Sequence, residues 1–399
     1  MTKHGLGLLV VVAWLVLACA PAPAQPSAPA RPAAPAAAPD KPAAATAAPA
    51  QAPAASTAGG PAASGTGRVA ATPLDPPQVV RMSYTQSAGE VPLYLGVEHG
   101  YFTELGIQID LVRIPGSADS IVLLTTDQLE GAGLLITPAF YNAVARNVGV
   151  RMVGDRGSNR GGQSSFSLAV RADILQQQPW RGYQDLRGMK VALPQMGSMA
   201  EYYLERMVQR GGLQMSDVET VAPITFPDMS VAFANRGIDA ALYLEPWATQ
   251  QEQEGVIQKV ASVDDVAPGS HTAALVYGDT FARNTAAARN FMVGWLRSVR
   301  HLTDAYAGRR DFQDVLDVLQ KYTPLKDEAL IRKMPPTGMN PDGYLDAQRL
   351  AEYQDWFAAR GHVPQKVDVA KVYDPSFAEY ANSVLGPYPH AEGPRGLGR

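Results

Sequence analysis

From residue 79 onward, short apolar runs alternate with longer stretches whose apolar side chains recur every three or four positions. The short runs predict buried β-strands, and the longer stretches predict amphipathic helices. One series of strand, loop and helix covers residues 79–147, and a second covers residues 183–263. Strands that alternate with helices favour mainly parallel sheets covered on both faces, so the pattern predicts an α/β protein.

The two series echo one another. The stretches "LTTDQLEGAGLLI" and "VAFANRGIDAALYL" both follow the order helix, glycine, apolar strand. This weak repeat predicts two similar lobes. After His271 a further strand leads into long helices, and the first of them has apolar residues at helical spacing: Phe291, Trp295, Val299 and Leu302. We expect these helices to pack on the first lobe, as amphipathic helices of globular domains do.

The N-terminus has the pattern of an export signal. A basic Lys3 precedes an apolar run at residues 6–18, which is shorter than the roughly 20 residues needed to span a bilayer. The run ends in "LVLAC", which resembles a bacterial lipobox. We therefore expect residues 1–18 to be a lipoprotein signal peptide and Cys19 to carry the lipid, with an ordinary secretory signal as the alternative.

The next segment is built almost entirely from Ala and Pro. Such a composition buries too little apolar surface to fold, so residues 19–77 are predicted to be a disordered tether. The folded body is then expected outside the cytoplasm, at the cell surface or in the periplasm. We predict a first lobe at residues 78–170, a second lobe at 171–265, a return to the first lobe at 266–385 and a flexible tail at 386–399.

Composition excludes several classes of function. The formal net charge is −4 without a basic run, so nucleic acid is not an expected partner. Cys19 is the only cysteine, and the six histidines lack metal-ligand spacing, so we expect neither a disulfide in the body nor a metal or other cofactor. The motifs of nucleotide-binding loops and of Ser–His hydrolases have no counterpart near the strand ends.

Ligands of open parallel sheets sit at the carboxyl ends of strands, where helix N-termini point their N–H groups outward. These ends supply the candidate ligand-binding residues Tyr84, Thr85, Gln86, Ser117, Thr137, Gly197, Ser198, Phe226, Glu245 and Trp247. Two aromatic side chains facing the crevice would sandwich a flat ligand. The aromatic strand ends and the carboxylate therefore favour a flat heterocyclic or aromatic compound.

Some of these positions also have a purely structural interpretation. The stretch "SMAE" at Ser198 fits a capping box, in which Ser198 and Glu201 satisfy the first N–H groups of a helix, while Gly197 still allows a ligand to approach. Thr137 is a plausible N-cap before a proline. The glycine-rich loop at residues 154–162 carries Arg156 and Arg160. We expect both to be solvated, with an anion clamp as the alternative.

Three stretches, in order behind the lipobox, carry a family resemblance: "PLYLGVEHGYFTELGIQIDLV", "YQDLRGMKVALPQMGSMAEYYL" and "ANRGIDAALYLEPW". Over about residues 79–377 the chain resembles the substrate-binding proteins of ABC importers for nitrate, alkanesulfonates, taurine and thiamine-precursor pyrimidines. The resemblance implies a two-lobed type II periplasmic-binding-protein fold, with a mainly parallel sheet in each lobe and hinges near residues 165–173 and 264–272. It implies a monomer that delivers its ligand to a permease and an ATPase, with ligand contacts at Thr85, Ser117, Thr137, Ser198 and Glu245.

Alternatives remain open at this point. The motifs place no arginine in the cleft, so a small oxyanion such as a sulfonate or nitrate is the second choice of ligand. A lyase-type enzyme would use Glu245 or Asp228 as its base, and enzymes of the menaquinone pathway share the fold but are expected in the cytoplasm. A sensor subunit for a receptor kinase is a third possibility. We expect a binding protein rather than an enzyme.

Overall fold

The computed structural model describes residues 69–114 and 117–390, apart from the side chains of residues 117 and 118. The predicted signal peptide, Cys19, the tether up to residue 68 and the tail from residue 391 lie outside the described residues. Within those that are described, no helix is both long enough and apolar enough to cross a bilayer.

The described chain contains strands and helices in alternation, as the apolar pattern predicts. The strands are β1 Gln78–Tyr84, β2 Ile107–Arg113, β3 Gly131–Leu135, β4 Val150–Ser158, β5 Phe166–Arg171, β6 Lys190–Ala192, β7 Glu219–Val221, β8 Ala240–Leu244, β9 Ile257–Ser262 and β10 His271–Gly278. The helices are α1 Val91–Glu98, α2 Ser117–Thr125, α3 Pro138–Ala145, α4 Ala172–Gln177, α5 Met199–Arg210, α6 Phe226–Ala234, α7 Trp247–Gln253, α8 Asp279–Arg283, α9 Thr285–Tyr306, α10 Gln313–Tyr322, α11 Glu328–Lys333, α12 Ala347–Ala359, α13 Val369–Val372 and α14 Ser376–Leu385.

Two five-stranded sheets form the two lobes. Their strand orders are β2-β1-β3-β10-β4 and β7-β6-β8-β5-β9. In the first sheet β10 runs antiparallel to both neighbours, and in the second β5 does so, while the remaining pairs are parallel. The strands β3 and β8, which carry the repeated sequence pattern, occupy the same central position in their sheets. The two-lobed α/β architecture with mainly parallel sheets is therefore confirmed.

The chain crosses between the sheets twice. β4 ends in the first sheet at residue 158 and β5 begins in the second at residue 166, so the first crossing is residues 159–165. The predicted hinge at 165–173 and the predicted boundary at 170/171 fall mostly inside β5, because the first crossing ends before this strand begins. The return crossing lies between β9 and β10 at residues 263–270 and overlaps the second predicted hinge at 264–272.

The folded body extends beyond the predicted boundaries at both ends. Residues 69–77, assigned to the tether, pack on the first lobe: the Leu74 N–H lies 3.1 Å from the Leu105 carbonyl, and the Asn290 side chain donates to Thr72 O at 2.8 Å. At the other end, Tyr388 is buried and its N–H donates to Asp342 at 2.7 Å. These ends are held because main-chain groups outside any helix or strand find partners in the lobe.

The long C-terminal helices divide between two roles. α9 buries the predicted apolar stripe in the core of the first lobe, which confirms the expectation for that helix. α12 differs, because it contacts both lobes. The Tyr141 hydroxyl on α3 donates to the Leu350 carbonyl at 2.9 Å, and the Tyr353 ring packs edge-on against Tyr202 of α5 at 5.5 Å. α12 therefore closes one side of the crevice between the lobes.

Candidate functional site

A cavity of about 90 Å³ lies between the two lobes. The first lobe contributes the turn after β1, including Ser87, and the end of β4, including Arg156. The second lobe contributes the start of β5 and the end of β8, and residues 334–337 after α11 close the remaining side. The crevice that parallel-sheet topology predicts is thus present. Its walls, however, come mostly from residues that the strand-end argument did not select.

Arg156 is the charged side chain that the first lobe places in this cavity. It belongs to β4 and is only 8% exposed. Gly133 belongs to β3 of the same sheet, and a Cβ at this position would lie 1.9 Å from Arg156 Nε. The absence of a side chain on Gly133 therefore leaves the space that the arginine side chain occupies. The expectation of a solvated Arg156 in a loop is wrong, because the glycine-rich stretch pairs with β10 and continues the strand. Arg160, which follows the end of β4, is exposed as expected.

Glu90 holds the Arg156 guanidinium in place. Arg156 Nη2 donates to Glu90 Oε1 at 3.0 Å. The same carboxylate accepts the Thr85 N–H at 2.8 and 3.0 Å, the Thr85 hydroxyl at 3.1 Å and the Tyr94 hydroxyl at 3.0 Å. Burial, followed by the charge of Glu90, raises the pKa of Tyr94, so that hydroxyl remains a donor. Thr85 is therefore a supporting residue in the structure, bonded to the carboxylate that orients the arginine.

The guanidinium retains donors for a further partner. It carries five N–H groups. Among the described residues, Glu90 is its only hydrogen-bond partner. Because Arg156 lines the cavity, its remaining N–H groups are available to an anionic group bound there.

Glu245 lies on the second-lobe side of the same cavity and is buried. Its Oε2 accepts the Thr249 N–H at 3.0 Å, and its Oε1 lies 3.2 Å from Lys259 Nζ. The carboxylate thus satisfies the first turn of α7 and forms an ion pair. Burial, and then the charge of Glu245, raise the pKa of Tyr306, whose protonated hydroxyl is part of the same wall. Of the predicted site residues with described side chains, Glu245 is the one that lines the cavity.

The other predicted residues of the first lobe lie beside the cavity. The Tyr84 ring packs edge-on against Tyr94 at 6.4 Å, and Gln86 Nε2 lies 3.5 Å from the Tyr322 carbonyl. Thr137 occupies the N-cap position of α3, but its hydroxyl makes no capping bond. The Ser117 side chain is outside the described atoms.

The mouth of the Ser198 helix is occupied by the protein itself. The Ser198 hydroxyl donates to the Gln195 carbonyl at 2.7 Å instead of accepting from the helix, and Glu201 Oε2 accepts the Gly197 N–H at 2.5 Å. The predicted capping box is therefore wrong, because the acid reaches one residue further back than the motif requires. A Cβ on Gly197 would lie 2.9 Å from His362 Nε2. The close approach that this glycine allows is made by the segment after α12.

Phe226 and Trp247 contact each other directly. Their rings are stacked, with centroids 5.4 Å apart and planes 24° apart. They form one aromatic layer of the second lobe and do not enclose a ligand between them in this arrangement. Phe226 also packs edge-on against Phe166 at 6.1 Å, and Phe166 lines the cavity. Phe166 therefore lines the cavity, whereas the predicted Phe226 and Trp247 lie behind it and do not.

A larger opening of about 1070 Å³ adjoins the cavity. Phe166, Tyr306, Met334 and Pro335 line both spaces. The outer walls carry the basic side chains of Lys259, Arg332 and Lys333 together with two acidic ones. Sequence reasoning missed this contribution, because residues 332–335 form the end of α11 and the turn after it, and no local motif indicates that they fold over the crevice.

A buried acid joins β4, which precedes the first crossing, to β10, which follows the return crossing. Asp155 accepts the Ser158 hydroxyl at 2.8 Å and the Asn340 N–H at 2.6 Å, and it lies 3.3 Å from His271 Nδ1. The Asp346 N–H donates to His271 Nε2 at 2.9 Å, so Nδ1 carries the proton that faces Asp155. Burial alone would raise the pKa of Asp155, but the hydrogen bond and charge of His271 and the other donors hold that pKa below its ordinary value.

Comparison with known proteins gives the family. The chain resembles the alkanesulfonate-binding protein SsuA from Xanthomonas axonopodis pv. citri bound to MOPS, with 20% identity, a TM-score of 0.57 and coverage of 75% of this chain and 99% of that one. The periplasmic aliphatic sulphonate binding protein SsuA from Escherichia coli matches at 20% identity and a TM-score of 0.60, over 75% of this chain and 93% of that one. The periplasmic nitrate-binding protein NrtA from Synechocystis PCC 6803 matches at 12% identity and a TM-score of 0.59, over 79% and 91%.

These likenesses confirm the two-lobed periplasmic-binding-protein fold that the resemblance implies. No protein with a curated description matches the chain in sequence. The sequence profile of the NMT1-like family, by contrast, matches residues 74–315, which is more than half of the chain. The chain therefore belongs to the NMT1-like family.

Proposed function

We propose that this protein is the extracytoplasmic solute-binding component of an ABC importer, anchored by a lipid on Cys19, and that it captures a small organic solute with an anionic group. The observation that carries the proposal is the buried Arg156 in the cavity between the lobes, with Glu90 as its only described partner. The compared proteins bind a sulfonate and nitrate, which supports an anion as the ligand class.

The charges around the cavity support this ligand class. Glu90 already receives several neutral donors, so it orients Arg156 while leaving part of the guanidinium available. An oxyanion can accept two parallel N–H bonds from an arginine, and such charge-assisted bonds are about twice as strong as neutral ones. On the opposite wall, Glu245 is compensated by Lys259 at 3.2 Å and does not stand as an unpaired repelling charge.

The remaining wall supports an apolar body for the ligand. Leu244, Phe166 and Met334 line the cavity beside the polar groups. Its volume of about 90 Å³ corresponds to roughly three water molecules at about 30 Å³ each in the liquid. A short alkanesulfonate or a comparably small organic acid is of this size. A larger solute requires the lobes to separate or the opening beyond residues 334–335 to contribute.

Binding would act by closing the two lobes. The lobes are joined by the crossings at 159–165 and 263–270, and the cavity takes residues from both sides. A ligand that contacts Arg156 and the second lobe together binds the closed arrangement better than an open one, and it therefore shifts the population towards closure. A permease that recognises the closed arrangement would then receive loaded protein only.

A flat heterocyclic ligand is the second candidate. The rings of Phe166 and Tyr306 line the cavity and offer apolar surface to a flat compound. Phe226 and Trp247, two of the predicted aromatic residues, stack on each other and therefore do not hold a flat ligand between them. Anion recognition by Arg156 therefore has the stronger support.

A lyase on the same scaffold has less support than a binding protein. Its candidate bases are both engaged within the second lobe: Glu245 pairs with Lys259, and Asp228 accepts the Thr225 hydroxyl at 2.6 Å. Turnover of a bound solute in the absence of any permease would favour the enzyme.

The test is to identify and then titrate the ligand. Mass spectrometry of compounds released from the purified protein gives the solute, and calorimetry compares a short alkanesulfonate, taurine and nitrate with an uncharged pyrimidine. We expect Arg156→Gln to weaken anion binding about 10- to 100-fold, the range for losing charged hydrogen bonds. The exposed Arg160→Gln is the matched control and should bind as the parent does. Tight binding of the uncharged ring, unchanged in Arg156→Gln, would contradict the proposal.

The anchor is tested separately. Cys19→Ala should move the protein from the membrane fraction to the soluble extracytoplasmic fraction without altering ligand affinity, because the lipid is attached outside the folded body. Retention in the membrane fraction would exclude Cys19 as the anchor and would leave the ligand proposal intact.

A further inference from the structure

Two histidines and an aspartate that lie far apart in the sequence meet on the first lobe, away from the cavity. His99 follows the last residue of α1, His301 belongs to α9 and Asp314 belongs to the first turn of α10. One ligand atom from each of the three residues lies within 4.8 Å of the other two. Asp314 Oδ2 is 2.9 Å from His301 Nε2 and 3.5 Å from His99 Nε2.

We propose that His99, His301 and Asp314 form a binding site for Zn²⁺ that fastens α1, α9 and α10 together. Two imidazole nitrogens and a carboxylate oxygen are ligands that zinc prefers, and three protein ligands leave the fourth tetrahedral position for water. The inference is independent of the proposed transport function.

Two of the three distances between the ligand atoms are close to those of a tetrahedral site, and the third, between the two histidines, is at most 4.8 Å. Metal–ligand bonds of about 2.0–2.1 Å place neighbouring ligand atoms roughly 3.3–3.4 Å apart. The separation of 3.5 Å between His99 and Asp314 is already of that size, and the His301–Asp314 separation of 2.9 Å must open by about 0.4 Å. Rotation of the Asp314 carboxylate is sufficient for this change, because its side chain is 37% exposed and not held by surrounding packing.

The surroundings of His301 fix its orientation. Its side chain is fully buried, and its Nδ1 lies 3.0 Å from the Tyr101 hydroxyl. Without a metal, His301 Nε2 donates to Asp314, and Nδ1 accepts from Arg310 Nη1, which can only donate. Zinc binding at Nε2 requires the ring proton on Nδ1 instead, donated to the tyrosine oxygen, and Arg310 must then turn away from Nδ1. A ligating histidine usually donates its second nitrogen to a fixed acceptor in this way.

One neighbouring charge opposes a cation at this site. Arg310 Nη1 lies 3.2 Å from the Tyr101 hydroxyl and 3.3 Å from His301 Nδ1. Its positive charge repels a bound dication, so removing it should strengthen binding. A site consisting only of a hydrogen-bond network, with His301 donating from Nε2 to Asp314, predicts no such effect. The arginine therefore distinguishes the two interpretations.

The site is open to solvent on the side of His99 and Asp314. Their side chains are 32% and 37% exposed, whereas His301 forms the buried floor. An ion can therefore enter without unfolding of the lobe. Once bound, it joins the end of α1 to the start of α10 and should protect both against thermal unfolding.

The experiment uses the full chain after treatment with a chelator. Co²⁺, which reports tetrahedral nitrogen and oxygen ligation through its visible absorption, is titrated first and then displaced by Zn²⁺. We expect one ion per chain and a melting temperature that rises with Zn²⁺ concentration. His99→Ala and Asp314→Asn should each weaken binding by about 100-fold or more, since even changes beyond the ligands cost 10–100-fold. Arg310→Gln should strengthen it several-fold.

The exposed His390→Ala is the control for adventitious binding and should behave as the parent does. Thermal unfolding without metal establishes that each variant is folded before its affinity is compared. The absence of one-to-one binding in the parent, or binding that His99→Ala and Asp314→Asn leave unchanged, would overturn the inference.

Discussion

Replacing Asp155 by asparagine tests whether one buried carboxylate holds β4 and β10 together. Asp155 lies near the end of β4, fully buried, and faces His271 at the start of β10. It also receives the Asn340 N–H at 2.6 Å and the Gly157 N–H at 3.1 Å. One acidic group therefore connects β4 and β10 with the loop between α11 and α12.

The size of the effect follows from these contacts. In Asp155→Asn, one oxygen becomes an NH₂ group, which faces a buried N–H donor in either orientation of the amide. A buried donor left without a partner costs about 1–3 kcal/mol, and the loss of the charged acceptor opposite His271 adds to this. We expect the free energy of unfolding at pH 7 to fall by about 2–4 kcal/mol.

The pH dependence supplies a second measurement. The folded-state pKa of Asp155 lies below its ordinary value. The ionised carboxylate therefore stabilises the fold fully at pH values above its unfolded-state pKa of about 3.9. This stabilisation is lost as the pH falls through the folded-state pKa. The stability difference between parent and Asp155→Asn should therefore be largest near neutral pH and shrink below about pH 4.

Denaturant unfolding followed by circular dichroism at several pH values measures both quantities. Asp110→Asn, which changes an exposed carboxylate on β2, is the matched control and should stay within about 0.5 kcal/mol of the parent. A loss below about 0.5 kcal/mol for Asp155→Asn, or a difference that does not depend on pH, would refute the argument that this acid holds β4 and β10 together.

Two further substitutions test the site. Glu201→Ala should lower the free energy of unfolding by about 1–3 kcal/mol, because it leaves the buried Gly197 N–H unpaired, and Ser198→Ala should lower it less. Thermal unfolding measures both variants, and the opposite order would support the capping box. Gly133→Ala should lower both ligand affinity and the free energy of unfolding, the latter by about 3–5 kcal/mol, because the new methyl displaces the buried Arg156 from Glu90. Thermal unfolding measures the stability and calorimetry the affinity of the folded protein; unchanged affinity would mean that the arginine does not contact the ligand.

The order and type of the elements could be predicted from the sequence because they depend on local periodicity. β1, β3 and β8 are apolar runs bounded by turn residues, and α9 carries a continuous apolar stripe. Each pattern lies within a single helix or strand, and the spacing of its apolar residues indicates which of the two can bury one face. The repeat of helix, glycine and strand likewise predicts the equivalent places of β3 and β8.

The candidate site was predicted less well because its walls are assembled from distant parts of the chain. Glu245 was found because it ends a recognisable strand. Arg156 was not, because glycines around it suggested a loop, and only the pairing of β4 with β10 shows a strand with space made by Gly133. The apolar residues at the start of "VRMVGDRGS" are a local signal of a strand, but they end three residues before Arg156.

The sequence by itself determined the α/β class, the two similar halves and the family resemblance, since these depend on the spacing of apolar residues and on short ordered motifs. Only the tertiary structure decided which side chains meet. It brought Arg156 to Glu90, placed His362 over the mouth of the α5 helix and gathered His99, His301 and Asp314 from three helices. Such contacts join residues far apart along the chain, and no periodicity within a single element specifies which distant element will pack against it.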